Sequence, residues 1–142
     1  LDAVLNTIQT IHDMGIWLEL VTLLIPDYND SEKELTDIAN FIAGISKDIP
    51  WHVTAFHPDY RMIDRERTSA EILLRAYSYG KKAGLSFVYA GNLPGKVNNA
   101  ESTYCPKCNE VVIERIGFQV VVNRLKNGAC PGCQNSIPGR WI

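Results

Sequence analysis

Cysteine is absent from the first 104 residues of this 142-residue chain, and the four it has fall between positions 105 and 133. That confinement excludes a disulfide framework spread over the fold and points to one local device. Long hydrophobic runs are missing as well. The longest, Leu18 to Pro26, is interrupted by Glu19 and has the length of a strand, so no stretch reads as a membrane helix. No signal peptide is recognisable, and a cytoplasmic location is expected. Net charge is small, at -2, which disfavours duplex DNA or an anionic membrane as a partner because neither would be attracted over long range. Residues 1–97 carry 9 basic and 13 acidic side chains and residues 98–142 carry 5 and 3, so only the tail is mildly positive. There is no Ser-His-Asp arrangement, no glycine-rich phosphate loop and no zinc-hydrolase motif.

What is present is a hydrophobic fraction of 46%, ample for a core, arranged in a strand-helix alternation. The organising stretch is Trp51-His52-Val53-Thr54-Ala55-Phe56-His57-Pro58, a strand rich in β-branched and aromatic residues that Pro58 stops. Its parity puts Val53, Ala55 and His57 on one face and His52, Thr54 and Phe56 on the other, and polar His52 and Thr54 suit an open interior. A helix over residues 2–14, capped by Gly15, precedes a strand over Ile16–Ile25 that is too apolar to have a wet face. Ser31 and Glu34 match a capping box opening a second helix, and Thr68 and Glu71 match another opening a third that runs to Gly84. A third strand follows over Leu85–Ala90. The order α-β-α-β-α-β implies parallel strands joined by crossovers, with ligands at the strands' carboxyl ends. Three parallel strands do not finish a sheet. Helical spacing of Val4, Ile8 and Ile11 from the first residues, without an initiator Met, reads as a start inside a larger protein.

Lys96 to Glu101 is small and polar and suits a linker. Beyond it, Val111–Arg115 and Phe118–Arg124 are short β segments, and Lys126-Asn127-Gly128 is a turn signal. Cys105-Pro106-Lys107-Cys108 and Cys130-Pro131-Gly132-Cys133 place two pairs of thiolates on tight knuckles that close into a four-sulfur site. Zinc is the favoured ion, with iron in a rubredoxin-like site and disulfides as the alternatives. The division is thus 1–97, an α/β domain, and 98–142, a four-cysteine zinc ribbon, read more readily as a clamp than as a nucleic-acid reader. His57 divides between a functional role and a backbone-satisfied strand end. Asp27, Asn29 and Asp30 read as turn and cap residues in preference to an acidic metal or substrate loop, and Arg61, Arg65 and Arg67 as a solvated loop in preference to a grip on an anionic substrate. Glu19 faces either a polar cavity or water at the strand's start.

Leu20–Ser31, then Trp51–Tyr60, then Tyr89–Gly95, with a terminal ribbon ending near Pro138-Gly139-Arg140-Trp141, resemble the later strands of radical S-adenosylmethionine proteins related to pyruvate formate-lyase activating enzymes, most closely the AmmeMemoRadiSam-system branch. The resemblance implies the carboxyl-terminal half of a partial (β/α)6 TIM-like barrel. In that family a [4Fe-4S] cluster reductively cleaves S-adenosylmethionine to a 5′-deoxyadenosyl radical, in some members to install a glycyl radical. Its cluster motif, Cys-x3-Cys-x2-Cys, is absent here, as is the Gly-Gly-Glu strand motif, so cluster and cofactor are expected only with a missing amino-terminal half, and the chain alone is expected to be inactive, with no catalytic residue assigned. By the resemblance His57 is a cofactor contact and Leu23 packs on the cofactor. Val21 stands where activating enzymes have a basic position. Asp59, Tyr60 and Asn92 are candidate substrate contacts. The expected partners are the missing half and a small-molecule or protein substrate, with self-association through exposed strand edges. The rival reading is a zinc-ribbon module that binds nucleic acid or protein on an α/β scaffold.

Overall fold

The computed structural model describes residues 1–141. A parallel sheet holds β1 (Leu20–Leu24), β2 (Trp51–Ala55) and β3 (Val88–Gly91) in that spatial order, and an antiparallel sheet holds β4 (Thr103–Tyr104), β5 (Val111–Ile116) and β6 (Gln119–Asn123). Helix α1 (Asp2–Asp13) precedes β1, α2 (Glu32–Ile45) joins β1 to β2, and α3 (Ala70–Lys82) joins β2 to β3. The mixed α/β class and the element order match the sequence reading. The parallel sheet is open, and among the described residues no barrel closes.

Helices α1 and α3 stop for the same reason. Gly15 and Gly84 take positive φ (70° and 93°), which lets Gly15 N–H donate to His12 O and Ile16 N–H to Ile11 O, and likewise Gly84 to Lys81 and Leu85 to Gly80. These are paired Schellman closures. Helix α2 starts as expected, with Ser31 Oγ accepting from Glu34 N–H. Helix α3 corrects the expectation: its cap is Ser69, which accepts from Ile72 N–H, and not Thr68. Thr68 is withdrawn into the core, where its Oγ1 donates to Leu24 O and accepts from Phe56 N–H. One hydroxyl thereby ties the carboxyl ends of β1 and β2. Leaving that N–H and C=O buried and unpaired would cost more than a surface cap is worth.

The core lies on one face of the parallel sheet. Leu24, Trp51, Val53, Ala55, Val88 and Ala90 pack with Leu35, Ala39 and Ile42 of α2 and Leu73 and Ala76 of α3. The opposite face carries Val21, Leu23, His52, Thr54, Tyr89 and Gly91, brought level by the register Val21 to His52 to Tyr89 and Leu23 to Thr54 to Gly91. No helix covers it. The expected strand over Ile16–Ile25 is therefore shorter, and its wet face is real: Val21 is 67% exposed and Leu23 45%. An apolar run forms one strand with two different surroundings, which composition could not separate. Helix α1 buries none of its residues.

The expected linker is also corrected. Val97 and Ala100 are buried in the main core, Ala100 O accepts from Ala90 N–H, and Glu101, only 6% exposed, accepts from Gly95 and Gly117 N–H. A stretch so tied positions the antiparallel sheet against β3.

Trp51 sets the helix-to-sheet distance. A Cβ on Gly80 would meet Val88 Cγ2 at 2.8 Å and the Trp51 ring at 3.0 Å, so α3 approaches as closely as glycine permits. Gly80→Val is expected to destabilise the fold by about 2 kcal/mol through overpacking, and Thr68→Val by about 1–3 kcal/mol through two orphaned backbone groups. Chemical denaturation checks both, and an unchanged midpoint for either variant contradicts the packing described.

Candidate functional site

The four cysteines converge. Cys105 Sγ is 3.6 Å from Cys133 Sγ, Cys108 Sγ is 3.6 Å from Cys130 Sγ, and all four sulfurs lie within 4.8 Å of one another. Sulfurs at the corners of a tetrahedron ~2.3 Å from a central ion are separated by about 3.8 Å, so the set fits one metal ion. A disulfide, at ~2.05 Å, is not what these separations describe. The two knuckles share one construction. Asn109 and Gln134 follow the second cysteine of each pair with φ of 61° and 60°, and their N–H groups donate to Cys105 O and Cys130 O. Cys105 N–H donates to Glu110 O, and Cys130 N–H to Asn135 O.

The same turns aim backbone N–H groups at sulfur. Burial disfavours the Cys105 thiolate, but donation from the N–H groups of Cys108 and Lys107, with the neighbouring thiols, outweighs it and holds the group at about 7. At Cys108, Glu110 N–H favours the thiolate, yet burial and the three neighbouring sulfurs push it up to about 12. Four thiolates this close repel one another, and a divalent cation is the group that resolves the repulsion. Cys105 and Cys130 are buried with Val112, Ile113 and Ile137 against Phe87, a residue of the segment leading into β3. The four-cysteine site therefore sits in the small core that docks on the parallel sheet.

Between that small core and the open sheet face lies a cleft of about 530 Å³. Its floor is a chain of polar contacts. Trp17 Nε1 donates to Glu19 Oε1 at 2.9 Å, and Glu19 Oε2 lies 2.8 Å from His52 Nε2. The His52 ring stacks on Tyr89, with centroids 4.9 Å apart. Tyr89 Oη and Thr103 Oγ1 are 3.0 Å apart, and Arg115 Nη1 donates to the same Thr103 oxygen at 2.6 Å. The Arg115 guanidinium also lies 5.6 Å from the Tyr89 ring centre. Burial raises the Tyr89 phenol above its ordinary range, opposed by Thr103 and Arg115 and reinforced by Glu19.

Of the residues singled out from sequence, Asn92 lines this cleft, donating its side-chain amide to Ala55 O, and Glu19 faces the cavity. Val21 and Leu23 share the open face without lining the cleft, and His57 is exposed beyond the end of β2 and does not line it. Asp59 and Tyr60 stay in the exposed loop, where Tyr60 N–H donates to Asp59 Oδ1. Asn29 and Asp30 serve turn geometry, accepting from Ile25 and Asp27 N–H. Sequence reasoning missed Trp17, Tyr89, Thr103 and Arg115 as site residues. Parity placed His52 and Thr54 on the open face, but nothing in the sequence announced that the antiparallel module would cover them.

Cys108→Ser is expected to release the metal and unfold the antiparallel module while residues 2–90 keep their protection. Metal content and limited proteolysis read the two halves of this expectation separately. A metal-free variant whose tail still resists protease contradicts it.

Among the described residues no helix is long and apolar enough to cross a membrane. No family model matches the chain, and no solved structure matches it. The chain is similar to uncharacterized protein MJ0808 of Methanocaldococcus jannaschii, with 37% identity over 140 residues. That alignment takes in 96% of this chain and 41% of the relative, so the chain spans well under half the length of the curated protein it matches.

Proposed function

We propose that the chain is the carboxyl-terminal part of a radical S-adenosylmethionine enzyme, three β/α units of a TIM-like barrel followed by a zinc ribbon. The observation that carries the reading is the two-sided character of the parallel sheet: α2 and α3 pack on one face, and the other bears exposed Val21 and Leu23 beside His52 and Thr54, which the antiparallel module overhangs. A barrel wall has this construction, with helices outside and a mixed lumen face inside. The relative's much greater length is in keeping with a chain whose sheet is completed elsewhere. In this reading the unpaired edge of β1 and the uncovered stripe of α1 meet the rest of the barrel, and without it they favour self-association.

The donor set of this chain does not suit an iron-sulfur cluster in the barrel, because all four cysteines are engaged by the knuckles. Cluster ligands would come from other parts of the protein, and no chemical step is assigned to residues here. His57, Leu23 and Val21 remain the proposed cofactor contacts, His57 beyond the carboxyl end of β2, Leu23 near that of β1 and Val21 toward the start of β1. Zinc is the proposed ion of the four-cysteine site because it accepts tetrahedral thiolates without redox chemistry.

The longer protein, reconstituted with iron and sulfide without oxygen, is expected to cleave S-adenosylmethionine to 5′-deoxyadenosine on reduction. A reconstituted protein that binds no cluster, or binds one and leaves the cofactor intact, contradicts the assignment. The 142-residue chain is expected to carry about one zinc per molecule and no colour. A red, iron-bearing chain contradicts that.

A further inference from the structure

In the cleft between the sheet and the antiparallel module, both carboxylates are already held by hydrogen bonds while cationic donors remain. Both oxygens of Glu19 are engaged, by Trp17 and His52, and both oxygens of Glu101 by the N–H groups of Gly95 and Gly117. Arg115 commits one guanidinium nitrogen to Thr103, leaving most of a five-donor fork. Arg140 stands at the rim as a second cation. The walls are flat and apolar: Trp17, Phe87, Tyr89, Phe118 and Trp141 all line the space, with the His52 ring stacked on Tyr89. About 530 Å³ falls within the roughly 300–1,000 Å³ of small-molecule sites, which pair apolar walls with a few convergent polar groups.

We propose that this cleft is a binding site for a small planar anion, its carboxylate or phosphate held by the Arg115 fork and its ring laid against the aromatic walls around Tyr89. The guanidinium geometry matches either oxyanion, and the Thr103 bond together with the Tyr89 ring holds that guanidinium in place, so little side-chain entropy remains to be lost on binding. Anion selectivity follows from the cationic donors, since among the described residues Arg115 and Arg140 are the charged groups of the cleft left with free N–H donors, while Glu19 and Glu101 are each already held by two hydrogen bonds. The site lies where the module meets the sheet and does not include His57, Leu23 or Val21. It shares His52 and Thr54 with the face assigned to the barrel lumen, but its test reads binding by the 142-residue chain and its outcome is separate from that of the radical-enzyme reading.

The test titrates the zinc-loaded 142-residue chain with indole-3-acetate, 1-naphthyl phosphate and neutral indole-3-acetamide, followed by NMR. At least one anion is expected to shift the His52, Tyr89 and Thr103 signals and to bind about tenfold or more tightly than the amide. The tighter of the two anions identifies the head group. Arg115→Met removes the preference, and Arg140→Gln, at a side chain with no hydrogen bond among the described residues, lowers it by about threefold and serves if the first variant misfolds. Equal binding of acid and amide, shifts confined to residues outside the cleft, or a preference that survives both substitutions overturns the proposal.

Discussion

The alternation along β2 is the constraint on which the rest of the molecule depends. Trp51, Val53 and Ala55 point into the helices and His52 and Thr54 point away, and because strand periodicity is two, a slip of one residue would drive a histidine into the core. Trp51 also fixes the spacing of the layer above it. Its ring leaves room for a glycine and nothing larger at position 80, while its indole N–H is satisfied by Thr22 Oγ1 at 2.9 Å. The strand thus determines the register of both neighbours, the approach of α3, and which polar groups remain for the other face.

The same alternation in the segment through β3 joins the two halves. Val88 and Ala90 face the helices, whereas Phe87 enters the core around Cys105 and Cys130 and Tyr89 packs beside it. Glu101 adds a second tie, one carboxylate closing the turns at Gly95 and Gly117. A metal held by the two knuckles therefore stabilises more than a hairpin, because the core it organises forms one wall of the cleft. Folding of the module and formation of the cleft are linked through Phe87, Tyr89 and Thr103.

Much of this was legible in the chain. Period-two and period-3.6 patterns located three strands and three helices, and the paired Cys-x2-Cys spacing located the cluster of four cysteines that could hold a metal ion, because both depend on neighbours in sequence. Failures came where distant contacts decided the outcome. Thr68 has the composition of a cap and serves as a core tie, since Leu24 and Phe56, far away in sequence, supply its partners. Residues 96–101 have the composition of a linker, yet Val97, Ala100 and Glu101 are buried and Ala100 is tied to β3 through Ala90. The cleft as an assembly was invisible for the same reason: Glu19 and His52 could be read as facing a polar interior, but Tyr89 and Arg115 come from separate segments and each alone reads as an ordinary strand residue.

The central claim is that sheet and module form one body enclosing a built cleft. ¹⁵N relaxation on the metal-loaded chain tests it most directly. A single rotational correlation time for amides of residues 20–91 and 103–137, accompanied by ring contacts between His52 and Tyr89, is the expected result. Two distinct correlation times, with the four-cysteine module tumbling independently of the parallel sheet, would contradict the account.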